Sequence, residues 1–139
     1  MRILGLDFGS KTVGVAVSDE LMLTAQGLEI VRRQSPNKLR QTLARIEQIV
    51  TEYQVERIVL GLPKNMDGTE GPRAEKSRMV AQRLTDATGR EVVLWDERRS
   101  SIEAHGILHA NGRKEKKHRQ TVDAVAASLI LEGYLGTLR

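Results

Sequence analysis

The sequence has no cysteine, and its 139 residues include only three prolines and four aromatics: one Trp, two Tyr and one Phe. Without thiols, cysteine catalysis, thiolate zinc sites and disulfide frameworks are excluded. With so few rings, base stacking cannot be a main source of affinity for nucleic acid. Long hydrophobic runs are missing too. Apolar stretches are broken by Gly, Asp or Glu well short of the roughly 20 residues of a membrane span, so no membrane partner is expected. The opening Met1-Arg2-Ile3-Leu4-Gly5-Leu6-Asp7 meets an acid before the apolar core of a signal peptide can form, which points to the cytoplasm. No Gly-x-x-x-x-Gly-Lys-Ser/Thr phosphate loop occurs. Charge of neither sign dominates: 22 basic against 18 acidic side chains leave +4, a weak pointer to a polyanionic partner. A chain of this length buries roughly two-thirds of its unfolded surface without disulfide or structural metal, so residues 1–139 are expected to form one domain.

Apolar patterning gives the fold class. Arg2 to Asp7 and Val13 to Asp19 read as two antiparallel strands around the Phe8-Gly9-Ser10-Lys11-Thr12 turn, with a third from Leu28 to Val31. In the second strand Val13, Val15 and Val17 alternate with Gly14, Ala16 and Ser18, so one face is small and something must pack closely on it. Ser35-Pro36 starts a helix whose stripe is Leu39, Leu43, Ile46, Ile49, Val50 and Tyr53. Arg57 to Gly61 is then a buried strand, parallel to an earlier one because a helix separates them. Gly71-Pro72 opens a second helix with Ala74, Ser77, Val80, Ala81 and Leu84 on one face, stopped by Gly89. Val92 to Trp95 is a further strand, with Trp95 most simply a core residue. Ser100, three before Glu103, opens a third helix ending near Asn111-Gly112. The basic run Arg113 to Arg119 reads as a loop, and a last helix runs from about Gln120 to Leu138. The class is α/β.

Four acids stand out. Asp7 ends the first strand, Asp96 and Glu97 end the last, and Asp123 lies near the start of the final helix. Taken singly, each reads as a solvated loop acid or a helix-dipole partner. Together they can meet, because ligand sites in α/β sheets form outside the carboxyl ends of the strands. Asp123 shares a helix face with Ala126, Ala127 and Ile130, a small face suited to close packing on the sheet. Carboxylates brought together repel unless a cation holds them, and Mg²⁺ or Mn²⁺ prefers oxygen ligands. The chemistry implied is metal-assisted phosphoryl transfer, which at a phosphodiester is hydrolysis.

Four ordered motifs carry a resemblance over nearly the whole chain: Leu4-Gly-Leu-Asp7-Phe-Gly9-Ser-Lys11-Thr-Val-Gly14-Val-Ala-Val-Ser18-Asp19, Gly61-Leu-Pro63-Lys-Asn-Met66-Asp67-Gly68-Thr-Glu70, Asp96-Glu97-Arg98, and Asp123-Ala-Val-Ala126-Ala127. The sequence resembles the YqgF or RuvX-like family, whose members are named pre-16S rRNA nucleases or Holliday junction resolvase homologues. The resemblance implies an RNase H-like fold: a five-stranded mixed sheet, three antiparallel strands followed by two parallel ones, with helices on both faces. It implies a nuclease with metal-binding, catalytic carboxylates at Asp7, Glu97 and Asp123. Strand alternation sends Asp96 and Glu97 to opposite faces, so only one can face Asp7, and Glu97 is favoured. The expected partner is nucleic acid, precursor rRNA ahead of branched DNA, with the oligomeric state open. After Asp-Glu-Arg, Arg99-Ser100-Ser101 replaces the family's usual apolar residue and threonines, which keeps hydroxyls for a helix cap.

Around these acids, Lys11 reads equally as a phosphate contact and as a solvated turn lysine. Arg98 can hold a carboxylate or a phosphate in bidentate fashion, with the carboxylates the first choice. The Pro63 to Glu70 loop borders the same edge and leans toward substrate contact. Arg113, Lys114, Lys116, Lys117 and Arg119 can gather phosphates, each contact weakening as salt rises. His118 is read as a bystander, and His105 and His109 lack the Glu of His-Glu-x-x-His. A sugar kinase or actin-like ATPase would need two such domains around its nucleotide. A non-catalytic nucleic-acid module is the remaining rival, opposed by the intact acids.

Overall fold

In a computed structural model of the chain, the described residues are 2–9, 11–32, 39–64, 67–96 and 115–138, with the backbone alone described from 115 to 124. Five strands, β1 (Arg2–Phe8), β2 (Thr12–Ser18), β3 (Ala25–Arg32), β4 (Val55–Leu62) and β5 (Glu91–Asp96), form one sheet in the order β3-β2-β1-β4-β5. β1, β2 and β3 pair antiparallel, while β4 lies parallel to β1 and β5 parallel to β4. Helix α1 (Leu39–Glu52) precedes β4, α2 (Pro72–Thr88) joins β4 to β5, and α3 (Glu115–Thr137) is the last element.

Strand alternation divides the core into two layers. Leu4, Leu6 and Phe8 of β1, with Val13, Val15, Val17, Ile58 and Leu60, pack under α1 and α2. On the other face Ile3, Ala16 and Val59 meet Ala127, Ile130, Leu131, Tyr134 and Leu135 of α3. The small side of β2 is therefore the side α3 covers. No helix among the described residues is long and apolar enough to cross a membrane.

The local chemistry explains the element ends. Pro72 fits the first turn of α2, whose buried residues are Ala74, Ser77, Val80, Ala81 and Leu84. Gly89 stops the helix at φ 69°, its N–H donating to the Thr85 carbonyl at 2.9 Å. On α1 the stripe is buried at Leu39, Ile46, Ile49 and Val50, with Thr42 also inside and Leu43 and Tyr53 half-buried against the core. Ser35-Pro36 lies outside the described residues.

Two boundaries differ from the sequence expectation. β3 starts at Ala25 rather than Leu28, because Asp19 closes a tight turn: its Oδ1 accepts from the N–H groups of Leu23 (2.7 Å) and Thr24 (3.1 Å), and pairing begins at Ser18 with Ala25. α3 starts at Glu115, five residues before Gln120, so the basic run is a loop no further than 114 and Lys116, Lys117, His118 and Arg119 are helical. The physical reason is composition: Glu115, Lys116, Lys117, Arg119 and Gln120 are good helix formers, and no Gly or Pro follows Gly112 until Gly133. The helix expected from Ser100 to Asn111 lies outside the described residues.

Candidate active site

Because β1, β4 and β5 are parallel, their carboxyl ends, Phe8, Leu62 and Asp96, gather at one edge of the sheet. The β1–β2 turn, with exposed Lys11, leaves from that edge, and so does the Pro63 to Glu70 loop. Asp7 is the penultimate residue of β1, half-buried, and paired with Gly14 of β2. Leu6 and Phe8 point under α1 and α2, so alternation places Asp7 on the α3 face with Ile3 and Gly5. Gly14 opposite brings no side chain to that place.

What sets α3 against this face is Gly5. A methyl group there would lie 2.8 Å from Leu131 Cβ and 2.9 Å from the Ala127 carbonyl oxygen, so the helix backbone rests directly on β1. Farther along, Tyr134 Oη accepts a 2.7 Å hydrogen bond from Arg57 Nη1, and Arg57 is the register partner of Ile3. α3 thus runs antiparallel to β1, its carboxyl end toward Ile3 and its amino end toward Asp7. Position 123 precedes Ala127 by one turn, about 6 Å of rise. Gly5 to Asp7 spans about 6.6 Å of strand. The helix start, with the backbone of Asp123, therefore lies toward the same carboxyl edge as Asp7, and the Asp123 side chain is outside the description. Lys116, Lys117 and Arg119 follow on the same helix about 6–10 Å farther out, past the carboxyl edge.

The acids of β5 divide between faces. Leu60 pairs with Leu94 and Leu62 with Asp96, and Leu94 packs under α1 and α2 while Trp95 packs against the α3 layer. Asp96 has the parity of Leu94, so it falls on the face opposite Asp7, two strands and about 9.5 Å away. Glu97, Arg98, Arg113 and Lys114 lie outside the described residues. Among the described residues no group of three or more acids or histidines is close enough to hold an ion.

The sequence model of the RuvX family, described as Holliday junction resolvase, matches residues 1–137. The chain belongs to the RuvX family. A relative from Agathobacter rectalis named "Putative pre-16S rRNA nuclease" is 59% identical over 138 residues, 99% of this chain and 96% of its own. Another of that name, from Bacillus cytotoxicus, is 49% identical over 137 residues, 97% of this chain and 98% of its own. Among solved structures, T. thermophilus RuvC in complex with a Holliday junction substrate superposes with a TM-score of 0.60 at 17% identity, covering 99% of this chain and 97% of that one. The fowlpox virus Holliday junction resolvase gives 0.58 at 15% identity, covering 99% of each chain. At such identities the likeness is one of fold, and the RNase H-like mixed sheet implied by the RuvX resemblance is the fold of this chain.

In this RuvX-family chain the Pro63 to Glu70 loop is closed by a bridge between Lys64 and Glu70. Asp67 Oδ1 accepts from the N–H and hydroxyl of Thr69 at 2.9 and 2.7 Å. Glu70 takes Nε and Nη2 of Arg78, each at 2.7 Å, and the guanidinium holds its carboxyl below the usual range. Sequence reasoning passed over Arg73 and Lys76, which line a cavity with Phe8 and Gly9 directly after Asp7. Nothing in their spacing marks them, since Arg73, Glu75, Lys76 and Arg78 mix signs as a solvated helix face does.

Proposed function

We propose that the chain, as one nuclease domain over 1–139, is a divalent-metal-dependent nuclease that hydrolyses phosphodiester bonds in the maturation of the 16S rRNA 5′ end. The observation that supports this is the seating of α3 on Gly5, with the helix running antiparallel to β1 so that its amino end, which carries Asp123, points toward the carboxyl edge where Asp7 lies. Family membership and the names of the relatives support the reaction class and the ribosomal substrate. A ribosomal precursor as substrate implies a cytoplasmic location.

The donor set suits Mg²⁺ or Mn²⁺, being carboxylate oxygen throughout. Asp7, Glu97 and Asp123 would hold the metal, and Glu97 is preferred to Asp96 because Asp96 lies on the face away from Asp7. When bound, divalent cations activate water and stabilise the leaving oxygen of the phosphodiester. The protein's own part is to hold three carboxylates at one edge and to position the strand. Arg98 fixes the carboxylates or grips a phosphate. Lys11 in the turn, Lys116, Lys117 and Arg119 on α3, and Arg113 and Lys114 before it supply the backbone contacts.

The family description keeps a second substrate in view, branched DNA cut as by a junction resolvase. The experiment is parallel cleavage of a precursor 16S rRNA fragment and a four-way DNA junction, with and without Mn²⁺, beside Asp7→Asn. Mn²⁺-dependent cutting of the RNA that Asp7→Asn loses is the expected result. Preference for the junction reassigns the substrate. Equal cutting by Asp7→Asn overturns the site, and binding without cutting by the parent makes the chain a non-catalytic processing factor.

A further inference from the structure

A cavity of about 130 Å³ opens at the carboxyl edge on the side of the sheet away from Asp7, lined by Phe8, Gly9, Arg73, Lys76, Ser77 and Val80. Its apolar wall is fixed by the core, since Phe8 is 8% exposed and Val80 fully buried. Its polar wall is built from donors. Neither Arg73 nor Lys76 forms an ion pair among the described residues, while Arg45, Arg57 and Arg78 each hold a glutamate.

Ser77 is the second observation. It is only 4% exposed, yet its hydroxyl makes no hydrogen bond among the described residues. Elsewhere on α2 the hydroxyls of exposed Thr85 and half-buried Thr88 do find partners, donating to the carbonyls one turn back at 2.9 and 2.6 Å. Unlike Thr42 Oγ1 and Trp95 Nε1, which are buried without a partner among the described residues, the Ser77 hydroxyl reaches the cavity and is a donor for whatever occupies it. Arg73, Lys76, Ser77 and Val80 form one side of α2, so a single helix face supplies the cavity with both its cations and its hydroxyl.

We propose that this cavity is a phosphate subsite, which seats a backbone phosphate of the nucleic-acid strand lying across the carboxyl edge beside Asp7. Two cations and a hydroxyl on one helix face are donors that suit an oxyanion. The volume admits a phosphate group, set against the ~30 Å³ that one water takes up in the liquid, but not a nucleoside with its phosphate. Phe8 and Gly9 directly follow Asp7, so one strand passing over the edge would meet the acidic site on the α3 side and the cationic cavity on the α2 side. That the anion belongs to nucleic acid rests on the nuclease reading.

The test is fluorescence anisotropy of a labelled RNA hairpin with a single-stranded 5′ extension, and separately of a labelled four-way DNA junction, in EDTA across a series of KCl concentrations. The parent is compared with Arg73→Gln/Lys76→Gln, Ser77→Ala and, as a charge control on the same helix, Arg83→Ala. The double variant should bind the RNA five- to tenfold more weakly at low salt. Its log–log salt dependence should flatten by about 0.7–0.9, the release expected for one phosphate contact. Ser77→Ala should weaken binding two- to threefold with the slope unchanged, because a neutral donor releases no counterion. Unfolding temperatures equal to the parent's exclude misfolding, and the Gln variants keep the side-chain stems for that purpose.

If the loss is seen with the junction and not with the hairpin, the strand in the cavity is DNA. If the double variant matches Arg83→Ala, or Ser77→Ala binds like the parent, the subsite is overturned, and Mn²⁺-dependent cutting by the parent then leaves the nuclease reading intact. A parent that binds neither nucleic acid overturns both.

Discussion

Gly5 controls how near α3 comes to the strand that carries Asp7. Its missing Cβ is space occupied by Leu131 and the Ala127 carbonyl, and neither can yield, one being packed core and the other helix backbone. Gly5→Ala should therefore cost about 1–3 kcal/mol as an overpacked core site. For a domain of this size that is a fall of roughly 3–10 °C in unfolding temperature. A melting curve checks it, and a variant as stable as the parent would mean that α3 is not seated on β1. The alternation of small and bulky residues in Val13 to Ser18 made close packing on one face legible, but not which element supplies it. Ser18 shows why. Its hydroxyl accepts from the Ile3 N–H at 2.8 Å, and Tyr134 accepts from Arg57, contacts between residues 15 and 77 apart in the chain that no local spacing encodes. The place of Asp7 at the end of the first strand was legible because strands have a fixed period. The cations at the α2 cavity were not, because one basic residue on a mixed-charge helix looks like any other until the fold brings Phe8 and Gly9 beside it.

At the scale of elements, turns made by carboxylates give the protein an acid-sensitive component. The Thr24 N–H, with that of Leu23, holds the Asp19 carboxyl below its ordinary range, and the Arg78 guanidinium does the same for Glu70. A carboxyl with a depressed folded-state pKa stabilises fully above its unfolded pKa, and that contribution is lost as pH falls through the folded value. Asp19→Ala is expected to lower the unfolding temperature at neutral pH, with the gap to the parent narrowing below about pH 4 and closing in stronger acid. Melting curves from pH 7 downward read this directly. A gap that stays constant into acid would assign the effect to lost packing rather than to the ionised carboxylate. The same residue explains a misjudged boundary: Asp19 reads in sequence as a strand end, and its role as acceptor for the turn is what lets β3 pair from Ala25. The start of α3 was missed for the opposite reason. Its charge run reads as a solvated loop, yet Glu, Lys, Arg and Gln are also strong helix formers, and propensity prevails over charge density.

For the whole molecule, the proposed site joins the first strand, the residue after the last strand and the final helix, so a metal held there would tie together segments from both ends of the chain. The sheet order was legible because a tight turn demands antiparallel neighbours and an intervening helix demands parallel ones. The distances at the site were not, since they depend on the seating of one helix. In the proposed site three carboxylates share one edge, and they repel one another when no cation is present. Binding restricted to the folded state stabilises by about 2.7 kcal/mol at one hundred times the dissociation constant. That corresponds to a rise of roughly 8 °C in unfolding temperature for a domain of this length. Mn²⁺ should raise the melting temperature of the parent accordingly and that of Asp7→Asn, Glu97→Gln and Asp123→Asn hardly at all. Without metal these three should melt at or slightly above the parent, because each removes a repelling charge. Asp96→Asn is the discriminating variant: on the face away from Asp7 it should keep the full response. If Asp96→Asn abolishes the shift while Glu97→Gln preserves it, the ligand is Asp96 and β5 must turn over at its end. If all four variants respond like the parent, the cation binds elsewhere and the carboxylate site is overturned.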